Sequence, residues 1–225
     1  MENIERKNQD AEAQEQATPG LAILDFLRGQ GPALYIAIAA LFIAVFIGVF
    51  YVIKTTRDNQ QAARLLSAAQ TAKQFEEITA LYPKSPSAPV AQLALASAQF
   101  SAGDYGGASS RYAEFAAKYP KYPMLPAAEL GQVMCSEASG EIDKALMGFN
   151  SFIARYPGHF LVPQAIFGKA RCLQLAGKYA EAKSVYEDFV AANPESKWRP
   201  QAESALQALN RRIRQQNQNT AAKNK

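Results

Sequence analysis

The feature that most restricts this chain of 225 residues is a distance that recurs along it. Prolines stand at Pro83, Pro120, Pro157 and Pro194, each 37 residues after the one before. Other positions keep the same step: Pro89, Pro126 and Pro163; Gly103, Gly140 and Gly177; Ala108, Ala145 and Ala182; Tyr112, Phe149 and Tyr186; Phe115, Phe152 and Phe189. Self-similarity at a fixed period of this length marks a repeat architecture, in which each unit buries its apolar face only by stacking on a neighbour.

The last unit reads "VPQAIFGKARCLQLAGKYAEAKSVYEDFVAANP". Pro163 suits the first turn of a helix, where its missing N–H costs nothing, and Gly177 suits the left-handed residue that ends that helix. Ala182 is small where two helices approach closely. Tyr186 and Phe189, three residues apart, share one face of a second helix, which Pro194 stops. Each unit is therefore predicted to be helix, tight turn, helix, and three units run from Ser87 to Pro194 within a repeat domain over 87–197. Ahead of them, within a linking and capping segment over 54–86, "AARLLSAAQTAKQFEEITALYP" reads as one long helix ending on the Pro83 register. Behind them, Pro200 opens a capping helix over 198–214, and 215–225 is expected to be a disordered basic tail. The fold class expected is all-α: an α-solenoid of helical hairpins.

Composition is that of an ordinary globular protein, 48% hydrophobic and 20% charged, but the apolar residues are unevenly spread. Residues 33–53, "ALYIAIAALFIAVFIGVFYVI", form 21 positions without a charge or a proline. At about 1.5 Å per residue they span about 31 Å, enough for a hydrocarbon core of about 30 Å. One transmembrane helix is predicted, with Tyr35 and Tyr51 near its two interfaces. A cleaved signal peptide fits poorly, because the run is long, begins late and lacks a small-x-small site before a polar start. Residues 21–32 include "LAILDFLR", read as a short surface-lying amphipathic stretch, and the acidic residues 1–20 as a disordered tail. Within the span, Ala40, Ala44 and Gly48 form a ridge of small residues on which a second copy or another membrane protein could pack closely.

Nothing in the chain spells out catalysis. His159, the single histidine, has no Cys, Asp or Glu at ligand spacing and reads as a linker residue. "GDYGG", residues 103–107, lacks the Lys and Ser or Thr that complete a phosphate loop. Cys135 and Cys172 are one period apart, on equivalent first helices. Helices pack about 8–10 Å apart, whereas a disulfide needs Cα atoms within about 6.8 Å, so two separate buried thiols are expected. No catalytic, cofactor or metal residues are predicted, and the protein is expected not to be an enzyme.

The pattern carried by Gly177, Tyr179, Ala182, Tyr186, Phe189 and Pro194 resembles the tetratricopeptide repeat. Its closing Tyr-Pro and long period are similar to those of bacterial envelope proteins such as outer-membrane assembly lipoproteins and the Tol-Pal cell-division coordinator. The layout of acidic tail, span and repeats resembles the YfgM-like ancillary subunits of the Sec translocon. The resemblance implies a concave groove lined by first helices, at Val90, Leu93 and Phe100, at Leu130, Met134 and Glu137, and at Phe167, Arg171 and Gln174. Apolar groups there would suit an amphipathic peptide, with Glu137 and Arg171 adding polar selection.

Sidedness is contested. Residues 1–53 hold three basic and six acidic groups, the remainder 21 and 14. Lys54, Arg57, Arg64 and Lys73 follow the span while Arg28 alone precedes it within reach, which would place the repeats in the cytoplasm. The resemblance implies the opposite: a bacterial inner-membrane protein with a periplasmic repeat domain. Long domains cross largely regardless of charge, so the periplasmic placement is preferred. The expected role is protein binding in secretion or envelope assembly, through translocon subunits or exported, unfolded clients. A self-associating scaffold for envelope or division machinery is the alternative. The stretch "RRIRQQNQNTAAKNK" reads as a solvated end ahead of contact with lipid, and nucleic acid is not an expected partner.

Overall fold

The computed structural model describes residues 31–223, and these are all helix and turn. The acidic tail and the amphipathic stretch expected before the span lie outside the described residues. The chain divides into two compact units within α1 (Pro32–Ala68), residues 1–57 and 58–225. In the first unit, α1 carries the apolar run. Among the described residues it is the one helix long and apolar enough to cross a membrane, and none of that run is buried inside the chain.

The second unit is a stack of helices. The expected single long helix before the repeats is in fact two, the end of α1 and α2 (Ala72–Leu81). The break needs neither glycine nor proline: Thr71 caps α2 in a capping box, its backbone N–H donating to Gln74 Oε1 at 3.0 Å while its hydroxyl accepts from the Gln74 N–H. Three hairpins follow, α3 (Ser87–Ser101) with α4 (Tyr105–Lys118), α5 (Leu125–Ala138) with α6 (Ile142–Arg155), and α7 (Val162–Leu175) with α8 (Tyr179–Ala192). The last helix, α9 (Arg199–Lys223), runs well beyond the cap expected to end at 214. Its polar end holds Arg, Gln, Asn and Ala without Gly or Pro; polarity removes tertiary contacts but not helix propensity.

From α2 onward each helix packs against the next in sequence, and first helices also touch, α3 with α5 and α5 with α7. The turn inside each hairpin repeats atom for atom. Gly103, Gly140 and Gly177 have φ of 82°, 80° and 76°, the left-handed region where a Cβ is strained. The N–H of the following residue then reaches back to a carbonyl five residues earlier, as from Asp104 to Gln99, Glu141 to Ser136 and Lys178 to Leu173. This closes the last turn of the first helix and reverses the chain.

The core repeats as well. Ala108, Ala145 and Ala182 are fully buried, as are Ala91, Ala128 and Ala165 on the first helices, so backbones come close at these points. Phe115, Phe152 and Phe189 are at most 3% exposed, and burying such a ring contributes about 1.5–3 kcal/mol. Register extends one step earlier than the three units: Ile78 on α2 occupies the place of Phe115 and is 1% exposed. The junction between units rests on a contact that spans two hairpins. A Cβ at Gly131 would run into the Tyr112 ring, and a Cβ at Gly168 into the Phe149 ring. The aromatic of one second helix thus lies flat on the glycine of the next first helix.

Replacing Gly131 or Gly168 with alanine should therefore destabilise the fold by about 1–3 kcal/mol, read as a lower urea midpoint with unchanged slope. Gly106→Ala, where a Cβ meets nothing within 4 Å, should be neutral or mildly stabilising. Cys135 and Cys172 are buried free thiols, in separate clusters of the core. Burial raises both thiols from 9.0 to about 11. The native state favours the neutral thiol, so this contribution to stability is present below pH 9 and is lost as pH rises toward 11. Neither thiol should react with Ellman's reagent at pH 8 until the chain is unfolded, and mass should not change with reductant.

Candidate functional site

The surface made by α3, α5 and α7 is the place where the repeats could hold a partner. The nine residues expected to line it separate into two groups. Leu93, Leu130 and Phe167 are 8%, 2% and 4% exposed and belong to the core, which corrects their assignment to the groove. They share one register, and at that register the side chain points between its own hairpin and the neighbouring helices. Phe167, for instance, meets Tyr186 and Phe189 edge-on, with ring centroids 5.2 and 5.5 Å away. Phe100 packs at the end of its hairpin against Tyr105, 5.3 Å between rings, and is half-buried.

Val90, Met134, Glu137, Arg171 and Gln174 keep solvent contact. Applied strictly, the 37-residue step produces three columns that keep solvent contact, 90, 127 and 164, then 97, 134 and 171, then 100, 137 and 174. Ala127, Gln164 and Ser97 were therefore missed, although the period alone identifies them. Neighbouring first helices are tied across these columns. Gln164 Nε2 lies 3.3 Å from Met134 Sδ. Arg171 donates to Glu137 twice, from Nε to Oε1 at 2.7 Å and from Nη2 to Oε2 at 2.8 Å.

That bidentate pair alters the electrostatics expected of the surface. Glu137 and Arg171 were read as separate selective charges, but they satisfy each other. The Glu137 side chain is only 12% exposed while that of Arg171 is 46% exposed. The carboxylate holds the guanidinium charged, pushing its pKa further up. The buried Tyr186 lies within reach of the same pair: burial raises its pKa, partly offset by the charge of Arg171 and a hydrogen bond with Gln174. The face therefore mixes apolar groups, Val90, Ala127 and Met134, with the neutral polar side chains of Ser97, Gln164 and Gln174 around one mutually neutralised ion pair.

His159 sits in the turn between α6 and α7, its Nδ1 accepting the Leu161 N–H at 3.2 Å and its ring near Phe152, Tyr156 and Phe160. Asp104 in "GDYGG" caps α4, accepting the Gly107 N–H at 2.9 Å. Among the described residues, no group of three His, Cys, Asp or Glu side chains could hold a metal ion. On α1, Ala40, Ala44 and Gly48 are exposed along one face at four-residue spacing, and a Cβ on Gly48 would meet nothing within 4 Å.

The family model described as YfiO, outer membrane lipoprotein, matches residues 54–223. The chain belongs to the YfiO family. In this YfiO-family chain the match covers the repeats and begins at Lys54, directly after the apolar run. Similar solved structures include the nearly identical TPR-like repeats of a putative kinesin light chain from Podosopora anserina and a singly substituted form of the same repeats. Each has a TM-score of 0.54 at 19% identity, covering 73% of this chain and 89% of that one. A tetratricopeptide repeat protein from Parabacteroides merdae aligns with a TM-score of 0.47 at 17% identity, over 71% of this chain and 59% of that one. No curated protein matches the chain. The fold of this YfiO-family member is a stack of tetratricopeptide-like hairpins.

Arg171→Met should leave the mostly buried Glu137 carboxylate unpaired and cost about 1–3 kcal/mol. Glu137→Gln combined with Arg171→Met should cost less than Arg171→Met alone, a coupling that a double-mutant cycle in urea would read directly.

Proposed function

We propose that this protein is a membrane-anchored adaptor, not an enzyme, that holds other proteins beside the bilayer and assists secretion or envelope assembly. The observation that carries the reading is the combination of an apolar helix with no partner inside the chain and a stack of tetratricopeptide-like hairpins matched by the YfiO family. Anchored repeats gain from tethering, because a client meets them at high effective concentration near the membrane. The first-helix face supports an extended or amphipathic segment: Val90, Ala127 and Met134 supply apolar contact, and Arg171 supplies a donor. The placement supported by the layout is the inner membrane with periplasmic repeats, and the layout also supports translocon subunits and exported chains as partners.

A second reading has its own observation. The exposed Ala40, Ala44 and Gly48 ridge lets another helix approach closely, and a second copy would turn the protein into an oligomeric scaffold.

Photo-crosslinkers at Ser97, Gln164 and Ala44 in native membranes separate these readings. Adducts from Ser97 and Gln164 to exported chains or translocon subunits support the adaptor. Adducts confined to self-pairs through Ala44 support the scaffold. Protease added to intact spheroplasts should digest the repeats, and full protection would place them in the cytoplasm.

A further inference from the structure

The solenoid is unlike along its two edges. One edge is built from the turns that join each second helix to the next first helix, residues 81–88, 118–125, 155–162 and 192–199. Within these four turns Glu195 is the only carboxylate. Lys84, Lys118, Lys121 and Lys197 are exposed there, and no ion pair engages any of them among the described residues. Arg155 and Arg199 also stand on this edge, though each is paired, with Glu129 and Glu203. The turns inside the hairpins, on the opposite edge, carry Asp104 and Glu141 against Lys178.

Large apolar side chains are exposed among the lysines. Phe160 is 77% exposed, Leu81 59% and Met124 43%, each in a different turn. Leu81 and Phe160 stand where other units carry lysine, Lys118 and Lys197, so the core does not need them, while Met124 shares the register of Leu161 and Trp198, which pack on core clusters. Trp198, the single tryptophan, stands in the fourth turn, half-buried beside Phe167. The edge is a row of four turns. At about 10 Å between packed helices it extends roughly 30 Å. Ammonium groups free of ion pairs, one of them (Lys118) over the Tyr119 ring, interleaved with protruding apolar and aromatic side chains on such a row match the headgroup zone of an anionic bilayer, where cations meet phosphate and rings enter the interface.

We propose that this edge docks on the surface of an anionic lipid bilayer. The inference rests on the anchored reading above, since a tether already holds the domain close to lipid. Docking sets which side of the solenoid faces the membrane and leaves the first-helix face open to a partner.

The test uses the full chain reconstituted in vesicles of phosphatidylcholine alone, or with phosphatidylglycerol, both carrying a shallow spin-labelled lipid. Two reporters are read: quenching of Trp198, and the emission of an environment-sensitive dye on Phe160→Cys, the native thiols being buried. Both should respond in the anionic vesicles and lose the response in about 0.5 M salt, which screens the lysines from the lipid. Each of Lys84→Gln, Lys121→Gln and Lys197→Gln should lower the docked-to-undocked ratio about fivefold. Lys178→Gln on the opposite edge should change nothing. A chain that floats with both vesicle types while both reporters stay silent overturns the docked edge and keeps the anchor; failure to float with either overturns both. Silence in anionic vesicles together with a response to soluble polyglutamate would assign the edge to an acidic protein instead, and overturn the lipid reading.

Discussion

An aromatic ring laid on a glycine holds this structure together. Tyr112 over Gly131 and Phe149 over Gly168 join a second helix of one hairpin to the first helix of the next. A lone hairpin would leave that ring in water, and a side chain at the glycine would push the helices apart. Stability therefore comes from the interfaces between units, as expected for a solenoid. At the end of the stack the requirement relaxes: Tyr186 keeps the aromatic register, but the position equivalent to Gly168 in α9 is Ala205, which partly covers the last cluster.

The same economy decides what is left for function. Each first helix devotes its buried alanines and Leu93, Leu130 or Phe167 to the core, so only narrow columns reach solvent. Across those columns the one strong polar contact, Glu137 with Arg171, joins two neighbouring units and leaves the face nearly uncharged. Among the described residues, lysines without an ion pair lie instead along the edge formed by the turns between hairpins. A surface that selects partners by shape and a rim that carries charge can thus act on different molecules without competing for side chains.

Much of this was legible because proline, glycine and alanine report backbone geometry directly. The Schellman turns follow from Gly103, Gly140 and Gly177, and the closing second helices from the prolines. Less legible were features that depend on weak, local competition. The break before α2 rests on the Thr71 and Gln74 capping box, a short signal inside a helix-favouring stretch. The extension of α9 to Lys223 rests on propensity without burial. The groove assignment mixed registers: Leu93 and Phe167 were grouped with Val90 and Arg171 because all lie on first helices, yet a shift of three or four residues separates core from solvent.

The sequence by itself determined the hairpin, its period, its turns and the existence of one long apolar helix, because each follows from residues within 37 positions of one another. Only the tertiary structure decided which first-helix residues face outward, that Glu137 and Arg171 neutralise each other, and that Gly131 and Gly168 receive rings from the preceding hairpin. Those outcomes depend on the rotation of one packed helix against another. Residues three or four apart differ by about 40–60° around the helix axis, so a rotation of that order moves a side chain from water to core.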